Sequence, residues 1–160
     1  MVVQIEFPEL EAPARIFFDG KRFNHEAYAQ GEIVIVPPAG GESSYQSADV
    51  CSQLVFWARR DGCGKAFDSS GGFILPSGAV SAPDAAWVSR ARLETLTKRQ
   101  RQKFIPLAPE FVIEVMSPKD TLPVAQAKME AWIAGGVEVG WLIGFTVTRF
   151  TSDNMYYVNS

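Results

Sequence analysis

The alternation and clustering of apolar residues divides the chain into a short series of elements. Glu32-Ile33-Val34-Ile35-Val36 is a β-branched run and predicts a strand. Pro37-Pro38-Ala39-Gly40-Gly41 ends it. Ser43 and Gln46 have the spacing of a capping box, Ser-x-x-Gln, in which side chains and backbone N–H groups satisfy each other at a helix start. Val50, Cys51, Leu54, Val55, Trp57 and Ala58 then fall on one helical face through about Arg59, and Asp61-Gly62-Cys63-Gly64 stops that helix. The stretch FDSSGGFILPSGAVSAPDAAWV reads as short extended pieces with turns at Gly71-Gly72 and Ser77-Gly78. A helix-like stretch follows from about Arg90 to Lys103. Phe111 to Met116 predicts a buried strand that contains one acid, Glu114, and Ser117-Pro118 ends it. Asp120 or Thr121 can cap a helix through Ile133, with Pro123 tolerated in its first turn and Gly135-Gly136 as its stop. Val139 to Ile143 predicts a further strand. Phe145, Val147 and Arg149 alternate with threonines, which is compatible with one more. The order predicts a mixed α/β domain around one sheet, with a helical insert.

Composition narrows the class. The chain has 160 residues, 47% hydrophobic and 21% charged, a length and balance that predict one globular domain with its own core. Residues 1–30 read as irregular, because Pro8 and Pro13 break any long element. No apolar run approaches the ~20 residues of a membrane span, and the first residues carry acids and prolines where a secretory signal carries bases. The expectation is a cytoplasmic protein without a membrane partner. The formal net charge is −3, so any contact with nucleic acid must come from a local patch. Lys98, Arg99, Arg101 and Lys103, with Arg90 and Arg92 upstream, could form such a patch, but against the acidic total charge a solvated helix is the favoured reading.

Cys51 and Cys63 are the only cysteines and form no CxxC pair, which argues against structural zinc. Cys51 lies on the apolar face of its helix and reads as core. His25 is the only histidine, so a Ser-His-Asp or Cys-His mechanism would depend on that residue alone.

Two carboxylates stand inside or beside apolar strands. Glu114 is flanked by Phe111, Val112, Ile113, Val115 and Met116, and Asp84 opens Asp84-Ala85-Ala86-Trp87-Val88. A buried carboxylate is costly unless it is paired or bound to metal. Two of them on neighbouring strands can hold one magnesium ion, which takes hard oxygen ligands and retains waters. Lys128 lies at the edge of the stripe made by Ala125, Met129, Trp132 and Ile133, where it can lean toward the acids. It could orient an attacking water or neutralise a phosphate. Each residue also has a plainer role: Glu114 as a solvent-facing acid at a sheet edge, Asp84 as a turn residue after Pro83, Lys128 as a solvated helix lysine.

Three segments together, FDSSGGFILPSGAVSAPDAAWV, LAPEFVIEVMSP and KMEAWIAGGVEVGWLI, resemble the Uma-two family of restriction-endonuclease-like proteins, abundant in cyanobacteria. The resemblance runs from about Glu32 to Ile143; the segment before Gln30 and the tail 144–160 match poorly. It implies a PD-(D/E)XK core with a mixed central sheet flanked by helices, and a divalent cation, Mg2+ or alternatively Mn2+. Pro83-Asp84 matches the family's Pro-Asp element and Glu114 the acid of its second element. The backbone carbonyl of Val115 would complete the metal shell. The usual motif places a lysine two residues after the acid; here that place holds Met116, and Lys128 on the following helix corresponds to the lysine the family shows there. Glu42 resembles a further family acid, with Glu32 a weaker candidate. The implied activity is hydrolysis of DNA phosphodiester bonds, with a homodimer as the form that would cut a duplex. The alternatives are a non-catalytic relative that binds nucleic acid or a protein, and, ranked last, a small-molecule hydrolase using His25.

Overall fold

The computed structural model describes residues 40–144 and 150–151 in full, and the backbone of 17–18, 21–22, 24–27, 33–36, 147–149 and 155–158. In chain order the strands and helices are β1 (Phe17–Phe18), β2 (Lys21–Arg22), β3 (Asn24–Ala27), β4 (Ile33–Val36), α1 (Gly41–Asp61), β5 (Gly64–Asp68), β6 (Phe73–Ile74), β7 (Val80–Ser81), β8 (Ala85–Ser89), α2 (Arg90–Glu94), α3 (Lys98–Arg101), β9 (Phe111–Val115), α4 (Leu122–Ala134), β10 (Val139–Ile143), β11 (Val147–Thr151) and β12 (Met155–Val158).

A six-stranded sheet in the order β12-β11-β10-β9-β8-β5 forms the frame. Only β9 and β10 pair in parallel within it; the other neighbours are antiparallel. Parallel neighbours need a crossover rather than a hairpin, and α4 supplies it. The expectation of one sheet needs correction, because β4-β3-β7-β6 form a second sheet and β1-β2 a two-stranded ribbon. Strands of two residues such as β6 and β7 are too short to show a period in the sequence. Strands β1, β2 and β3 likewise lie within the segment read as irregular.

Strand β9 shows no alternation in its sequence because Val112, Ile113 and Glu114 are all buried. A strand covered on both faces loses the alternation of a half-exposed one. Val112 belongs to the larger core cluster with Met129, Trp132 and Leu142; Ile113 belongs to a smaller one with Leu54 and Ala85. Glu114 has the parity of Val112 and so faces α4. The seating of α4 on β10 depends on Gly140, where a Cβ would overlap the Met129 sulfur.

Helix α1 begins two residues before the predicted box, with Gly40 as N-cap and no side-chain capping bond. Ser43 is buried inside the first turn, so its hydroxyl does not serve as the cap. At the other end Gly62 adopts φ 75° and its N–H donates to the Ala58 carbonyl at 2.9 Å, a left-handed stop that suits glycine. The predicted helix over Arg90–Lys103 is broken in two. Leu93 and Leu96 are both buried, and Thr97 restarts the chain as α3 with a reciprocal capping box to Gln100. Helix α4 matches its prediction closely, with Thr121 at the N-cap position and Gly135 at the end.

Candidate functional site

The site is assembled where β8 begins and β9 ends. Ala85 is in register with Ile113, so Asp84 just before it and Glu114 just after it meet at the same end of adjacent antiparallel strands. Pairing in register thus brings together two acids thirty positions apart in the chain.

Glu114 is 7% exposed and holds two side-chain partners, both from α4. The Lys128 ammonium donates to Oε2 at 3.1 Å, and the Trp132 indole N–H donates to Oε1 at 2.7 Å. Lys128 and Trp132 are one helical turn apart, so they project from the same side of α4. The crossover from β9 to β10 lays that side over Glu114. The Glu114 carboxyl is pushed up to about 7, with burial the largest cause; the Lys128 charge works against that rise and the nearby Asp84 charge adds to it. The hydrogen bonds from Trp132 and Lys128 favour the ionised form. This acid therefore sits near the middle of the physiological range, held in place from one helix.

Asp84 is only half-buried and is tied differently. Its Oδ2 accepts the Val115 N–H at 2.7 Å, and its Oδ1 accepts the Ser47 hydroxyl at 3.3 Å. The carboxylate thus joins α1, β8 and β9 and lies beside the last residue of β9.

The structure brings Asp84, Glu114, Val115 and Lys128 to one place. Met116, where the usual motif has lysine, packs against the main core instead. Glu42 stands on the exposed first turn of α1, where its carboxylate accepts a bond from Gln46 at 3.5 Å. Among the described residues, no group of three His, Cys, Asp or Glu side chains gathers to hold a metal, so Glu42 is not drawn into the Asp84–Glu114 pair. Glu32 lies outside the described residues, as does the side chain of His25. Cys51 is half-buried against the smaller cluster, and burial, with the Asp68 charge, pushes its thiol pKa up. A raised thiol is a poor nucleophile, in keeping with a core role.

Trp132 and Ser47 join the site in the structure without being among the residues its sequence motifs mark. Trp132 was legible in principle: a tryptophan one turn beyond Lys128 on the inner stripe, opposite a buried acid, has an N–H that needs an acceptor. Ser47 carries no comparable signal.

The donor chemistry suits a hard cation. Each carboxylate oxygen carries two lone pairs, so one hydrogen bond per oxygen leaves acceptor capacity on both acids. Two carboxylates and a backbone carbonyl, completed by water, match the preference of Mg2+ for oxygen ligands.

A mixed sheet flanked by helices, with two acids at adjacent strand ends and a lysine against one of them, defines a restriction-endonuclease-like α/β protein. The chain belongs to the Uma2 family, described as "Putative restriction endonuclease", which it matches over residues 6–158. That span takes in most of the N-terminal segment and the tail, both of which lay outside the motif resemblance. The structure is similar to that of a protein from Anabaena variabilis ATCC 29413 described as "a putative nuclease belonging to DUF820". The two share 17% identity and a TM-score of 0.69, covering 85% of this chain and 76% of the other. At that identity the likeness speaks for the fold. No match is found among curated proteins. Among the described residues, no helix is long and apolar enough to cross a membrane.

Proposed function

We propose that the protein is a metal-dependent endonuclease that hydrolyses DNA phosphodiester bonds. The observation that carries this reading is the placement of Glu114: a buried acid at the end of a central strand, beside Asp84 and in contact with Lys128. Asp84, Glu114 and the Val115 carbonyl would hold Mg2+, or Mn2+ in its place. When bound, that cation supplies Lewis-acid stabilisation and lowers the pKa of a coordinated water. The protein's own groups do the rest. The Val115 N–H and Ser47 fix the Asp84 carboxylate, and Trp132 fixes Glu114. Lys128 lends positive charge at the edge of the site, where it can orient the incoming water or offset charge on the phosphate. Family membership supports a nuclease, and a cytoplasmic location fits an enzyme that acts on DNA. A homodimer would give the two active sites that a double-strand cut needs.

The test is cleavage of supercoiled plasmid in Mg2+ or Mn2+ by the parent, Asp84→Asn and Glu114→Gln. Each variant is expected to cut at least about 100-fold more slowly, the scale of removing one transition-state contact. Equal rates for parent and variants would overturn the assignment.

One observation favours a second reading, a non-catalytic fold that binds nucleic acid or a protein. Each Glu114 carboxylate oxygen already holds a partner on α4, Lys128 or Trp132, so the acid can be a structural element of the core. DNA binding without turnover in either cation would select it.

A further inference from the structure

A second feature of the surface lies outside the acid pair. A cleft of about 410 Å³ opens between the β5–β6 turn and the segment that follows α3. That volume falls at the small end of ligand sites, roughly 300–1,000 Å³. Its walls include Phe67, Gly71 and Gly72 on one side and Arg101, Lys103 and Phe104 on the other. The walls are stitched together: the Ile105 N–H donates to the Gly72 carbonyl at 3.0 Å, and the Ile74 N–H to the Ile105 carbonyl at 2.9 Å. The shape is therefore built into the backbone rather than left to loose side chains.

Its chemistry is one-sided. The ionisable groups that line the cleft are Arg101 and Lys103, both exposed cations that form no ion pair among the described residues. The nearest acid of the turn, Asp68, is engaged by the Ser70 hydroxyl at 2.6 Å and the Ser70 N–H at 3.0 Å. Two unpaired cations beside two phenylalanine rings suit one ligand class: a nucleic-acid strand, with phosphate on the cations and a base against the aromatic wall. The close fit of Gly72 under the Phe104 ring, where a Cβ would approach to 2.6 Å, holds that ring in place.

The cleft also lies on the way to the acid pair. Asp68, which starts the β5–β6 turn, is in register with Ala85, and Ala85 with Ile113. The turn thus leaves the sheet at the end where Asp84 and Glu114 stand. Strands β5 and β9 are two strand spacings apart, about 10 Å, a distance that one strand of nucleic acid spans within a few nucleotides.

We propose that this cleft is a docking site for the DNA strand beside the scissile bond, with Arg101 and Lys103 holding a backbone phosphate. The proposal rests on the reading that the chain acts on DNA, and it deepens that reading by naming where the strand is held. The overall charge of −3 gives no broad attraction, so binding depends on this local pair.

The experiment measures fluorescence anisotropy of labelled single-stranded and duplex oligonucleotides in EDTA, where nothing is cut, across a salt series. The double variant Arg101→Gln/Lys103→Gln is compared with Lys98→Gln/Arg99→Gln, which removes the same charge from α3 outside the cleft lining. All four positions are exposed, and a melting curve of each variant checks that folding is intact. The cleft variant is expected to bind about 10-fold more weakly and to flatten the log K against log salt slope by about 2, with under about 3-fold change in the control. Equal losses in both variants would overturn the cleft in favour of a diffuse basic surface. Unchanged binding in the cleft variant, or no binding by the parent, would overturn it as well. Cleft-dependent binding with no cleavage in Mg2+ or Mn2+ would leave the docking site standing and remove the nuclease reading. Cleavage with cleft-independent binding would do the reverse.

Discussion

The two faces of the central sheet are built differently. On the face toward α4, Val112, Met129, Trp132 and Leu142 form part of one continuous core with little access to solvent. On the opposite face, α1 packs over β5, β8 and β9, and the buried cluster is smaller, made of Leu54, Ala85 and Ile113. Large apolar side chains remain outside it: Phe56 is 70% exposed, Trp57 43% and Trp141 39%. Trp57 and Trp141 rest edge-on against Trp87 and Phe111 instead. The two acids, although neighbours, are anchored differently. Glu114 is sunk into the dense face and clamped from one helix, whereas Asp84 is held by a backbone N–H and by Ser47 on α1. Deep burial gives a carboxyl whose pKa is far from its usual value, whereas half-burial leaves Asp84 within reach of water.

The sharpest way to break the contrast is Trp132→Ala. It removes a large side chain from the dense core and leaves Glu114 Oε1 without its donor, so a loss of about 4 kcal/mol or more is expected in denaturant unfolding. Leu54→Ala on the thin face is expected to cost less, about 3 kcal/mol, near the lower end for buried leucines because the neighbouring cluster is small. If Leu54→Ala proves the costlier of the two, the two faces are not distinguished as stated.

Proton linkage gives the next effect. The Glu114 carboxyl rises from 4.5 in the unfolded chain to about 7 when folded. The folded protein therefore binds the extra proton between those values, and this contribution to stability is complete below pH 4.5 and lost as pH rises toward 7. The loss is of order 3 kcal/mol for the metal-free protein. Comparing unfolding of the parent with Glu114→Gln across that window in EDTA checks it, because glutamine cannot ionise and its curve should lack this slope. The smallest effect is expected on the thin face: Phe56→Ser should change stability by no more than about 0.5 kcal/mol.

Much of this was legible in the sequence, for physical reasons. Glu114 stood out because an acid inside Phe111–Met116 contradicts its surroundings, and Lys128 because its helix has a readable stripe. Helix α4 was bounded well because Gly135-Gly136 is a strong stop. The second sheet has no clear signal in the sequence, because its strands are two to four residues long and the pairing that joins its two local hairpins, Ala27 with Val80, links positions distant in the chain. The split between α2 and α3 depends on Leu96 being pulled into the core, a tertiary preference that overrides helix propensity. The start of α1 departs from its sequence signal because Ser43 satisfies a capping pattern that the fold does not use. The ion pair of Arg92 with Glu110 at 3.3 Å likewise follows from pairing between elements and has no local signature.

The crossover from β9 through α4 to β10 has a consequence for the order of folding. The bonds of Glu114 to Lys128 and Trp132 span 14 and 18 residues, whereas those of Asp84 to Val115 and Ser47 span 31 and 37. Each doubling of a closed loop costs about 0.6 kcal/mol, so length alone gives the nearer pair a small kinetic lead. The larger advantage is that Glu114 needs only one strand and the helix that follows it, while Asp84 needs β8 already laid against β9. Half of the site is expected to form with the nucleus, with high φ-values at Trp132, and the other half to lock in afterwards as α1 docks, with low values at Ser47.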